Sequence, residues 1–120
     1  MTNADGTPGV GIAVGSVGDI DDGEAIVIAA DVTGTGEDIA VFFDDEKYFA
    51  LNDRCSHGNA SLADGWIEDG QVECPLHSGK FCLRTGQVQS MPATEDAVAH
   101  RVEVRDGEIV LFPGAPVGAS

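Results

Sequence analysis

Apolar positions along this chain come in short runs, and few of them keep a helical spacing. Gly11 to Val17 alternates weakly with a period of two, and Glu24 to Ala30 is a β-branched apolar run between acidic, glycine-containing turns. Ile39 to Phe43 and Tyr48 to Leu51 flank the charged stretch Asp44-Asp45-Glu46-Lys47, a pattern that predicts a hairpin. Gln71 to Glu73, Lys80 to Leu83 and Gln87 to Gln89 predict three short strands with glycine-bearing connections. Val98 to Val104 and Glu108 to Phe112 flank Arg105-Asp106-Gly107, a strong short-hairpin signal. The segment Asn59 to Asp69 is the least strand-like and reads as a loop or a single helical turn, and Val32 to Gly36 reads as a turn between strands. The expected fold class is all-β, a small antiparallel sandwich or barrel.

Length and composition narrow this only a little. A chain of 120 residues with 42% apolar positions predicts one domain with a modest core, and 16 glycines suit many turns. The first ten residues and the stretch after Phe112 read as frayed ends. The longest apolar run, Ala25 to Ala30, is far short of the roughly 20 residues that span a bilayer. The amino terminus has neither a basic region nor an apolar signal core, so a cytoplasmic location is expected. Charge is more telling. Twenty-one acidic residues against six basic ones give a net charge of −15. Phosphate backbones and anionic membrane surfaces would repel such a molecule, which argues against nucleic acid and membrane as partners and for a basic protein surface. The plainer alternative is acidity for solubility or salt tolerance.

The candidate chemistry lies in two short clusters, Cys55-Ser56-His57 and Cys74-Pro75-Leu76-His77, separated by sixteen residues. Three cysteines without an export signal point to metal or redox chemistry rather than to a disulfide framework. Thiolate and imidazole are ligands that iron and zinc favour. Each arm offers one sulfur and one nitrogen, and each follows a predicted strand, so a sheet can present the two arms side by side. That suits a two-iron cluster with Cys55 and Cys74 on one iron and His57 and His77 on the other. The alternative is a Cys2His2 zinc site, which usually pairs two cysteines on one arm and two histidines on the other.

The stretch from Cys55 to Gly86, with the motif C-x-H-x16-C-x-x-H, resembles the cluster-binding region of Rieske-type ferredoxins. The resemblance runs from about Ile12 to Phe112 and is greatest to the ferredoxin components of bacterial multicomponent aromatic-ring dioxygenases of the biphenyl and carbazole type. It implies the Rieske iron-sulfur fold, with a base at about 10–51 and 85–113 and a smaller cluster-binding subdomain at about 52–84. It implies one [2Fe-2S] cluster held by Cys55, His57, Cys74 and His77. It also implies a monomeric electron carrier between a flavin-containing, NAD(P)H-dependent ferredoxin reductase and a terminal oxygenase component. The respiratory-chain type adds a bracing disulfide, whose positions here are Ala60 and Leu76. The high-potential type places Ser and Tyr hydroxyls against the cluster, at positions that are Gly79 and Phe81 here. Hydrogen bonds to cluster sulfurs favour the reduced form, so a midpoint near the lower end of the Rieske range of roughly −150 to +300 mV is implied. With both imidazoles neutral the oxidised cluster is neutral overall, and an electron is accepted more readily than by an all-cysteine cluster. His57 and His77 are then the expected electron exit.

Other residues carry plainer readings. Pro75 stiffens its loop, and Met91-Pro92 resembles the family's third, cluster-covering loop. Trp66 reads as a packing anchor, Cys82 as a small buried thiol and His100 as a structural or solvated histidine. No oxygen-activating 2-His-1-carboxylate set and no dinucleotide motif opening a helix is visible, so the chain reads as a carrier and not an enzyme. Two competing classes are a subunit bound permanently to a reductase, as in nitrite reductase systems, and a zinc-stabilised interaction module.

Overall fold

The computed structural model describes residues 11–54, 60–75, 79–90 and 97–113. Among the described residues, ten strands form two antiparallel sheets. β1 (Ile12–Ser16), β2 (Glu24–Ile28), β3 (Ile39–Asp44), β4 (Lys47–Asn52), β9 (Ala99–Arg105) and β10 (Glu108–Phe112) make a six-stranded sheet in the order β1-β10-β9-β4-β3-β2. β5 (Trp66–Glu68), β6 (Gln71–Glu73), β7 (Lys80–Cys82) and β8 (Val88–Ser90) make a four-stranded sheet in sequence order.

Three hairpins share one turn chemistry. Asp45-Glu46, Asp69-Gly70 and Asp106-Gly107 connect β3 to β4, β5 to β6 and β9 to β10, and all six residues have positive φ, between 54° and 80°. Two residues with φ > 0 match the right-handed twist of the flanking strands. Asp and Gly reach that region at small cost, whereas Glu46 does so less readily. Part of the help at the Asp45-Glu46 turn comes from outside it, since the Asp45 N–H donates to Asp22 Oδ1 at 3.0 Å.

The apolar run Ile39 to Phe42 is continuous because β3 is buried on both faces. Ile39 and Val41 face the interior of the six-stranded sheet with Ile20, Ala50, Ile109 and Leu111, and that sheet curls so that Val14 of β1 and Ile26 and Ile28 of β2 pack onto the same interior. Ala40 and Phe42 face the other way and join Leu51, Leu62, Val72, Cys74, Phe81 and Leu83 in a second buried cluster. β3 and β4 are therefore the wall shared by both cores.

Two elements differ from the sequence reading. Ala30–Thr33 forms one α-helical turn, α1, ended by Gly34 at φ 74°, where a turn between strands was expected. Within Asn59 to Asp69 the expected single helical turn is present at Leu62–Asp64, but Trp66–Glu68 is a strand. The strand forms because the Asp69-Gly70 turn folds it back onto β6, a long-range gain that three residues do not advertise. Among the described residues no helix is long and apolar enough to cross a membrane.

Candidate metal centre

Of the four predicted ligands, Cys74 lies among the described residues, while Cys55, His57 and His77 lie outside them, as do Met91 and Pro92. Cys74 directly follows β6. Its thiol is fully buried and forms no disulfide. Alternation along β6 places Cys74 with Val72 on the inner face, against Phe81, Leu62 and Leu83. The Cys74 N–H donates to the Gly79 carbonyl at 2.7 Å, which closes the second arm at its base immediately before the Glu73–Lys80 strand pair.

The first arm is closed in the same way. β4 ends at Asn52, and the Asn52 N–H donates to the Val98 carbonyl at 2.8 Å. Arg54 bridges to Ser61, and the Leu62 N–H donates to the Asp53 carbonyl at 2.7 Å. The two closed bases are held against each other. Ala60 and Leu62 lie in the same buried cluster as Cys74. A Cβ on Gly65 would stand 2.0 Å from the Glu73 carbonyl oxygen, so only glycine allows this approach of the two arms. Gly86 closes a third connection: it has φ 79°, a Cβ there would stand 2.0 Å from the Ala97 carbonyl oxygen, and the Ala97 N–H donates to the Gly86 carbonyl at 2.7 Å.

This frame fits a thiolate-ligated cluster. A buried cysteine thiol without a disulfide partner follows one strand, the bases of the two arms meet in one core, and Ala60 supplies no cysteine for a brace. Among the described residues no three His, Cys, Asp or Glu side chains gather into an alternative metal position. Residues 11–111 match the Rieske [2Fe-2S] domain. The chain belongs to the Rieske [2Fe-2S] family. Its cofactor is one [2Fe-2S] cluster, and the zinc reading falls with that.

Relatives sharpen the family to a type. The chain is 44% identical over 96 residues, 79% of its length and 86% of the relative's, to the 3-phenylpropionate/cinnamic acid dioxygenase ferredoxin subunit of Escherichia coli (strain K12). The ferredoxin of carbazole 1,9a-dioxygenase from Nocardioides aromaticivorans IC177 is similar with TM-score 0.78 and 28% identity, over 89% of this chain and 98% of that one. The ferredoxin in a complex of reduced oxygenase and oxidized ferredoxin of carbazole 1,9a-dioxygenase gives 0.80 and 27%, over 93% and 99%. This Rieske protein is thus of the dioxygenase-ferredoxin type, an electron carrier rather than an enzyme.

The remaining residues are placed unevenly with respect to expectation. Cys82 shares the outer face of the small sheet with Gln71, opposite to Phe81 and Cys74. It is half-buried rather than buried. Burial pushes its thiol up, but hydrogen bonds with Thr85 and the Arg84 backbone outweigh that and leave it below its ordinary value. His100 is structural: it is buried on β9 with Nε2 2.7 Å from Asn52 Oδ1, and burial holds it below the ordinary histidine range. Trp66 is no packing anchor, since it is 63% exposed on the edge strand β5. No motif in the sequence marks Asp53, yet it is a buried carboxyl at the root of the first arm.

Proposed function

We propose that this chain carries single electrons from an NAD(P)H-dependent flavin reductase to a terminal Rieske non-haem iron oxygenase that dihydroxylates an aromatic ring, with Cys55, His57, Cys74 and His77 holding the cluster. The observation that carries this reading is the 44% identity to a dioxygenase ferredoxin subunit across 79% of the chain. When bound, the cluster supplies a one-electron couple whose histidine ligands raise its potential above that of all-cysteine ferredoxins.

The chain's own residues then do two things. The arms closed by the Arg54–Ser61 bridge and by the Cys74–Gly79 hydrogen bond carry the proposed ligands toward a partner. Exposed Asp64, Glu68 and Asp69 lie farther out on the same subdomain and steer a basic docking face. The contact is small and transient, burying under about 1,200 Å² in total, and the protein works as a free monomer in the cytoplasm. The cluster-binding unit extends over about 52–84, with β8 added to its sheet from the segment that follows.

The test is reconstitution with reductase and oxygenase. Aromatic product should form only when this protein is present. Its subsaturating rate should fall steeply with sodium chloride, because screening acts over about 8 Å at physiological ionic strength. Turnover without the protein would overturn the carrier role, and a rate flat in salt would reduce the −15 charge to a solubility device.

A further inference from the structure

The turn at Leu62–Asp64 is capped from a distance. Its N-cap residue, Ser61, makes no side-chain cap bond. The amides that a helical turn leaves unpaired are met instead by Asp53: the Leu62 N–H donates to its carbonyl at 2.7 Å and the Ala63 N–H to its Oδ1 at 2.9 Å. The Ser61 hydroxyl donates to the same Oδ1 at 2.8 Å. The Asp53 N–H in turn donates to the Asp38 carbonyl at 2.9 Å, directly before β3. The residue is 7% exposed, so these bonds stand where water competes poorly. A cap usually comes from the adjoining residue. Here it comes from the far side of the arm, so the turn forms only with the arm's outgoing and returning ends in register.

We propose that Asp53 is a positioning residue for the cluster: its carboxylate latches residues 61–63 to the end of β4 and so sets the arm that carries Cys55 and His57. The inference rests on the ligand assignment proposed above. Asparagine keeps an Oδ1 able to accept both bonds, whereas alanine removes both, so the latch is separable from the charge.

The experiment uses the cluster-loaded protein and a ferrous chelator, with iron release followed by absorbance. Asp53→Ala should release iron at least about tenfold faster than the parent, the scale expected for losing hydrogen bonds to a carboxylate. Asp53→Asn should stay within about twofold, and Ser61→Ala, which keeps one side-chain bond, should lie between. In Asp53→Ala, amide exchange should quicken at Leu62 and Ala63 and stay unchanged at Ile39 to Phe42. Parent-like release from Asp53→Ala, damage from Asp53→Asn equal to that from Asp53→Ala, or equal quickening along β3 would each overturn the latch. If Asp53→Ala is recovered without iron, Ser61→Ala decides, and a parent-like rate there overturns the proposal. Cys55→Ser separates the two claims. An iron-free Cys55→Ser protein beside an unaffected Asp53→Ala protein sinks the latch alone, whereas a fully loaded Cys55→Ser protein sinks the ligand assignment and the latch with it.

Discussion

The six-stranded sheet has strands of five to seven residues, and its interior is built almost wholly from their side chains, with Ile20 the exception. The four-stranded sheet has strands of three residues each, and its core borrows Ala40, Phe42 and Leu51 from the other sheet and counts Cys74 among its own members. Short strands with so little apolar area of their own are marginal. The first sheet is therefore expected to stand by itself, and the second to depend on what its arms hold.

The largest effect should come from removing Cys74, the proposed ligand. Cys74→Ser should lose nearly all bound iron, and amide protection should vanish from β6 and β7 while it persists in β3 and β10. Parallel loss in both sheets would erase the distinction. Next come the two cores. Leu111→Ala should cost about 2–5 kcal/mol with and without the cluster. Phe81→Ala should cost about 3–5 kcal/mol in the loaded protein and well under about 1 kcal/mol in the cluster-free one, by denaturant melts. Equal costs for Phe81→Ala in both forms would show that the small sheet folds unaided.

Gly86→Ala faces positive φ and a carbonyl 2.0 Å away, so it should cost more than the roughly 1–3 kcal/mol of a strained backbone alone. Gly70→Ala, also at positive φ but in open space, should cost only about 1 kcal/mol. The smallest effect concerns His100. Burial lowers its pKa in the folded state, so the unfolded chain takes up the proton first as pH falls below the ordinary value of 6.5. Stability should decline on the acid side of that value and recover above it. His100→Gln should flatten that part of the curve in the cluster-free protein.

What was legible in the sequence follows from local physics. The β3–β4 and β9–β10 hairpins are visible because apolar runs flank short charged or glycine-bearing connections. The two-armed Cys/His motif stands out because each of its clusters is short and local. β5 was hidden because three residues become a strand only by pairing with β6. Trp66 reads as core because large aromatics usually are, yet it stands exposed on the edge of a three-residue strand. Asp53 was hidden for a different reason: its partners lie eight and ten residues away across the arm, and no local pattern announces them.

The central claim, that the small sheet exists to hold a histidine- and cysteine-ligated [2Fe-2S] cluster, is tested most directly on the purified protein. Iron, zinc and acid-labile sulfide are quantified per chain, and the reduced protein is examined by electron paramagnetic resonance. The expected result is two irons, two sulfides and the low average g-value of mixed histidine and cysteine ligation. One zinc per chain with no labile sulfide would contradict it.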